Sequence, residues 1–166
     1  MQSSDEYDIV CRYPAFEVRL NTVSGQQGVF ASEPREPEEP LIQFSIRSTQ
    51  TNPTYLTVQI GEEKHFEFEP DPLKYLNHSC DPNVFVDTVD LALIALKPIR
   101  PGDELRFFYP ATEWKMDQTF DCTCESNNCL GTISGAQSLT NTQLANYKLS
   151  PYIQQKRNSQ TNSQTI

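Results

Sequence analysis

Positive charge is scarce in this chain. Thirteen Lys and Arg stand against 22 Asp and Glu, for a formal net charge of -9 and a pI near 4.6. Nucleic acid rewards clustered Lys and Arg, so this balance argues against such a partner. Long apolar runs are missing too. The longest, Leu91 to Leu96, is strand-sized and far short of the roughly 18 residues of a membrane helix, so no membrane partner is expected. The opening Met1-Gln2-Ser3-Ser4-Asp5-Glu6 has neither a basic nor an apolar segment, which argues against secretion. The expected setting is cytoplasmic or nuclear, where thiols stay reduced.

What is present suits one domain. The chain has 166 residues, 37% of them hydrophobic, enough for a single core. Five cysteines in a reducing compartment favour metal ligands or core fillers over disulfides. The acidic surface suits a basic partner such as a Lys/Arg-rich peptide, and serves solubility equally well. The oligomeric state is not legible.

Short runs rich in Val, Ile, Phe, Tyr and Thr, many of them separated by Gly, Pro, Asn or Asp, predict a mainly β chain. Strands are expected at Tyr7 to Arg12, Phe16 to Leu20, Gly28 to Ala31, Leu41 to Ile46 and Tyr55 to Ile60. Further ones are expected at Lys64 to Glu69, Val84 to Val89, Leu91 to Leu96 and Glu104 to Tyr109. His65-Phe66-Glu67-Phe68-Glu69 alternates strictly, as a half-buried strand does. Pro101-Gly102 marks a turn, since Pro fixes φ and Gly accepts φ > 0. Proline-rich Glu33 to Pro40 reads as an exposed loop. A short helix is expected near Asn141 to Tyr147, with Thr140 as N-cap. From Gln154 the Gln, Asn, Ser and Thr content predicts a disordered tail.

Two segments carry chemistry. Tyr75-Leu76-Asn77-His78-Ser79-Cys80-Asp81-Pro82-Asn83 sets a polar cluster between apolar runs, and burying such groups requires partners for them. It reads as a hydrogen-bonded corner or as a ligand site. Downstream, Cys122, Cys124 and Cys129 stand as Cys-x-Cys-x4-Cys among Asp, Thr, Glu, Ser and Asn, which are not core neighbours. Three thiolates at this spacing can converge on one zinc, and a structural site takes a fourth ligand. Cys80, Cys11, His65 and His78 are the candidates.

Asn77-His78-Ser79-Cys80-Asp81-Pro82-Asn83 resembles the signature loop of SET-domain methyltransferases. Glu104-Leu105-Arg106-Phe107-Phe108-Tyr109 is similar to their later Glu-Leu-x-Phe-Asp-Tyr strand, and the cysteine segment falls where their post-SET motif lies. Gly28-Val29-Phe30-Ala31 resembles the strand near the start of that domain. The stretch Phe108 to Trp114 is similar to short, free-standing microbial SET proteins. The resemblance implies a SET domain over 1–118 with core motifs over 25–110. A post-SET zinc segment over 119–135, an extension over 136–153 and the tail over 154–166 would follow. The implied fold is a β-clip-like set of small sheets with a C-terminal pseudoknot.

The resemblance also implies roles. S-adenosylmethionine would be held by Gly28, Val29, Phe30, Asn77, His78, Tyr109 and Leu130. Structural zinc would be held by Cys80, Cys122, Cys124 and Cys129, leaving Cys11 as a small apolar filler. Tyr109 would orient the amine and the methyl group, Phe107 would bear on how many methyl groups are added, and Tyr75 would wall the channel. Trp114 would be a lid or packing, and His65 an ordinary strand histidine. The expected activity is methyl transfer to a lysine amine of a protein or basic peptide. A SET-like binding module without methyl transfer, or a SET scaffold acting on a small molecule, are the alternatives. This sequence departs from the family pattern at Gln26, where a glycine is usual, and at Phe108, where Asp is common. Little chain lies between Ile46 and Thr54 for a substrate-recognition insert.

Overall fold

The computed structural model describes residues 6–163. In chain order its strands are β1 (Tyr7–Arg12), β2 (Phe16–Asn21), β3 (Gln27–Ala31), β4 (Pro40–Gln43), β5 (Ser45–Gln50), β6 (Val58–Gly61) and β7 (Lys64–Glu69). They continue with β8 (Asn77–His78), β9 (Val84–Asp87), β10 (Ala92–Ala95), β11 (Glu104–Phe107), β12 (Phe120–Asp121) and β13 (Thr132–Ile133), followed by helices α1 (Asn141–Leu144) and α2 (Pro151–Ser163). The sheets are small: β1-β2-β3-β11-β8, β4-β10-β9, β5-β7-β6 and β12-β13.

Alternation explains the first sheet. Phe16 and Val18 turn inward at 2% and 0% exposure, while Glu17 and Arg19 between them form an outward ion pair of 2.6 Å. On β7, Phe66 and Phe68 point into the core and meet Phe44 at ring separations of 5.8 and 5.0 Å. The turn at Pro101-Gly102 is present, with Gly102 at φ 92°. Most of Glu33 to Pro40 is exposed, as expected of a loop.

Leu41 to Ile46, expected as one strand, is two. Phe44 interrupts it: its N–H donates to Leu91 O at 2.9 Å and its ring is buried. The chain thereby passes from the β4-β10-β9 sheet to the β5-β7-β6 sheet, a change of partner that an apolar run cannot reveal.

The largest difference lies at the end of the chain. Instead of a disordered tail from Gln154, helix α2 runs to Ser163, and the last three tail residues lie outside the described ones. Pro151 opens it, as suits a first helical position, and the Ser150 hydroxyl accepts from Ile153 N at 3.3 Å. Ile153 is fully buried, Lys156 pairs with Glu62 at 2.9 Å, and Arg157 donates to Asn141 Oδ1 at 3.0 Å. Tyr152 also packs on the apolar cluster and donates to Glu62 Oε2 at 2.9 Å, so contacts with distant residues fix the first turns and composition alone misreads the segment.

Near Asn141 the expected helix is present but brief. Thr140 Oγ1 accepts from Gln143 N at 3.1 Å, while Gln143 Oε1 accepts from Thr140 N at 2.9 Å, a reciprocal capping box. Thr140→Ala should cost about 1 kcal/mol, read as a lower urea midpoint with unchanged slope.

A second apolar cluster sits under these helices, built from Phe85, Phe108, Trp114, Leu144 and Ile153 among others. Phe108, the departure from Asp, stacks on Tyr147 at 3.6 Å, and the Tyr147 hydroxyl donates to Cys80 O at 2.8 Å. The phenylalanine thus docks the C-terminal extension. Trp114 is 8% exposed in the same cluster, which makes it packing rather than a lid. Among the described residues no helix is long and apolar enough to cross a membrane.

Candidate functional site

The site is built where β8 pairs in parallel with β11, Asn77 opposite Arg106 and His78 opposite Phe107. A two-residue strand needs side-chain support, and the polar corner supplies it. Asn77 Nδ2 donates to Gln27 O and to Glu104 Oε1, both at 2.9 Å, and Asn83 Oδ1 accepts from Arg106 N at 2.9 Å. Glu104 also pairs with Arg106. Gly28 makes this possible: a Cβ there would stand 2.6 Å from Glu104 Oε1, too close for any other residue without a shift.

His78 joins two parts of the site. Its Nδ1 accepts from Tyr109 N at 3.1 Å, so the ring proton resides on Nε2, which lies 3.3 Å from Cys80 Sγ. Burial, and then the Arg106 charge, pushes His78 down to about 4, consistent with a neutral ring. The Tyr109 hydroxyl donates to Leu76 O at 2.7 Å, and burial raises that phenol above its ordinary range. The Tyr109 ring stands 4.8 Å from Phe107 and 5.2 Å from His78.

These groups face a cavity of about 690 Å³. Tyr75, Asn77, His78, Phe107 and Tyr109 line it, together with Cys122 and Cys124. Gly28, Val29, Phe30 and Leu130 do not. β3 is sandwiched between β2 and β11, which buries Val29 and Phe30 at 0% and 3% exposure. The cavity wall at that end is Gly25-Gln26-Gln27. Leu130 packs on the second apolar cluster, and its N–H donates to Cys80 Sγ at 3.3 Å.

Cys80, Cys122, Cys124 and Cys129 bring their sulfurs within 4.8 Å of one another. The Cys80 and Cys122 sulfurs are 3.9 Å apart. A tetrahedron with metal–sulfur bonds of about 2.3 Å has edges of about 3.8 Å, so the donor set fits zinc. Burial pushes the Cys80 thiol up, while the Leu130 N–H works the other way. Cys11 lies outside the cluster, partly buried against the main core. His65 is 3% exposed on β7 and also stands apart from the cysteines.

One residue of the cavity wall escaped the sequence reading. Glu113 is 7% exposed, and its Oε1 accepts from Gln59 N at 2.9 Å and from Thr112 Oγ1 at 3.3 Å. The available signal was a carboxylate inside the otherwise compact run Tyr109 to Trp114. Burial lifts its carboxyl from 4.5 to about 7, against the pull of those two donors. The folded state therefore keeps a proton that the unfolded chain releases. Its contribution to stability is full below pH 4.5 and lost as pH rises through 7. Glu113→Gln should shrink the stability difference between pH 4.5 and 8 by about 3 kcal/mol, measured by denaturant unfolding of both proteins at those two pH values.

A domain of small twisted sheets, crossed by a parallel β8–β11 pair and closed by a cysteine cluster, defines the class. The SET domain family model matches residues 6–110, and the chain belongs to that family. It is 44% identical over 102 residues to Methyltransferase flvH of Aspergillus flavus, covering 60% of this chain and 57% of that protein. Histone-lysine N-methyltransferase Set2 of Drosophila melanogaster is 40% identical over 68 residues, covering 37% of this chain and 3% of that protein. Among solved structures, the methyltransferase domain of human Histone-lysine N-methyltransferase SETMAR aligns at a TM-score of 0.47 and 19% identity, covering 66% of this chain and 54% of that one.

Proposed function

We propose that this SET-domain chain is an S-adenosylmethionine-dependent methyltransferase whose acceptor is a lysine amine of a protein or basic peptide. The observation that carries the reading is Tyr109 at the cavity wall, fixed through its backbone to His78 and through its hydroxyl to Leu76. When bound, S-adenosylmethionine supplies an electrophilic methyl group on a sulfonium. Asn77, His78 and the Gly25–Gln27 edge of the cavity would hold it, with the Leu130 segment tied in through Cys80. Structural zinc on Cys80, Cys122, Cys124 and Cys129 would keep residues 122–130 against the cavity.

The chain's own groups account for the rest. Because the Tyr109 proton is committed to Leu76 O, its oxygen is an acceptor, able to orient an amine N–H. The apolar Phe107 ring beside it disfavours an ammonium and so favours the neutral amine that reacts. Phe107 brings no second hydroxyl, which leaves room for more than one methyl group. Tyr75 walls the same space. Fixed orientation, rather than acid or base strength, would supply most of the acceleration. Five free cysteines and an acidic composition accord with a cytoplasmic or nuclear protein that meets basic peptides.

Calorimetric titration of the zinc-loaded protein with S-adenosylhomocysteine tests the reading, and saturable binding at one site per chain is expected. A binding module without methyl transfer is the second reading, favoured by Gln26 on the cavity wall where a glycine is usual. No heat at millimolar ligand would move that reading ahead.

A further inference from the structure

The reaction as derived leaves one buried carboxylate unused. Glu113 lines the cavity and spends only Oε1, on Gln59 N and the Thr112 hydroxyl. No hydrogen bond among the described residues reaches Oε2, and none of the ion pairs among them includes Glu113. Nor is that oxygen sealed in the interior. The single buried side-chain nitrogen or oxygen left without a partner among the described residues is His65 Nδ1. Oε2 therefore borders open space, and the open space beside Glu113 is the cavity.

The two cations on the same wall are engaged elsewhere. Lys74 pairs with Asp71 at 2.8 Å, and Arg106 pairs with Glu104. Two neutral donors on one oxygen would be served equally well by a glutamine amide, so the carboxylate's charge is surplus to holding β6. Without a counter-ion the sheltered carboxyl holds its proton up to about pH 7, and a cation arriving in the cavity would favour its ionised form. An alkyl amine arrives at neutral pH as its ammonium.

We propose that Glu113 is a substrate-binding residue whose free oxygen receives the ammonium of the amine to be methylated as it enters the cavity. This rests on the methyltransferase reading and names the recognition group that reading lacks. It also fixes the substrate class as cationic alkyl amines, so uncharged acceptors of the same shape are excluded.

The Gln59 amide, hydrogen-bonded to Glu113, is a built-in reporter. Nitrogen-15-labelled, zinc-loaded protein with S-adenosylhomocysteine would be titrated with n-butylammonium chloride, a surrogate for the lysine side chain, and separately with n-butanol. A saturable shift of the Gln59 resonance with n-butylammonium and none with n-butanol is expected. Glu113→Gln, which keeps an acceptor for Gln59, should weaken that binding by roughly tenfold or more. Equal responses to amine and alcohol, no response to either, or unchanged affinity in the variant would overturn the proposal. The comparison of amine with alcohol in the unaltered protein stands even if the variant fails to fold. Binding of S-adenosylhomocysteine, followed on the Asn77 and His78 amides, separates the two readings. Cofactor binding without an amine response sinks the role of Glu113 alone. An amine response without cofactor binding sinks methyl transfer, and with it the amine as a substrate.

Discussion

Tyr109→Phe should lower methyl transfer to a lysine peptide by about 100-fold and leave affinity for S-adenosylhomocysteine nearly unchanged. The substitution removes one oxygen. The backbone N–H that donates to His78 remains, and so do the ring contacts to Phe107 and His78. What goes is the hydroxyl held by Leu76 O at 2.7 Å, the acceptor that would orient the amine. Leaving Leu76 O without its donor should cost about 1 kcal/mol of stability, too little to explain a 100-fold effect by unfolding. Single-turnover kinetics alongside calorimetry would read both quantities, and wild-type turnover would remove Tyr109 from the chemistry.

Cys80→Ser should have a broader effect: zinc content falling well below one per chain, and cofactor affinity falling at least roughly tenfold. Cys80 is fully buried, unlike its three partners, and it is the hub of the cluster. Its sulfur faces His78 Nε2 and Cys122 and receives the Leu130 N–H. A serine hydroxyl is a harder and shorter ligand and does not replace a thiolate on zinc. Residues 122–130 would keep the Asn128 Nδ2 bond to Cys80 O at 2.7 Å but lose their sulfur ties to the segment after β8, loosening one side of the cavity. Elemental analysis and titration measure the two losses. Cys11→Ser, outside the cluster, is the control and should change neither. Full zinc and wild-type affinity in Cys80→Ser would refute the four-cysteine site.

Much of this was legible in the sequence because it rests on local rules. The expected strand Lys64 to Glu69 is β7, with Phe66 and Phe68 inward although His65 is buried beside them, and Pro101-Gly102 turns the chain with the φ that glycine allows. The cysteine spacing identified three sulfurs that do converge, and the family resemblance supplied Cys80 as the fourth. What was not legible depends on partners distant in sequence. Phe44 splits an apolar run because Leu91 lies beside it. Helix α2 exists because Glu62 and Asn141 reach residues that composition labels as tail. Gly28 proves necessary for room beside Glu104 rather than as cavity wall, a distinction that requires the neighbour's position. Glu113 gave no periodic signal, since a lone carboxylate in a short run has no pattern to break.

The separation of Cys80 from the other three cysteines of the cluster has a consequence for how the molecule is born. Cys122 follows it by 42 residues, and the other two cysteines come later still. Synthesis runs from the N-terminus, and early segments can pack before later ones emerge. A nascent chain that has reached Tyr109 already possesses every strand of its three larger sheets, including the β8–β11 crossing. It still lacks one flank of the cavity, three of the four sulfurs, and the helix that covers Trp114. If the four-cysteine site holds zinc, its capture would follow the synthesis of these strands and wait for Cys129 to emerge. A cell short of zinc would release molecules that are folded over most of their length but carry an unfinished pocket, recognisable by a protease-sensitive segment after Trp114.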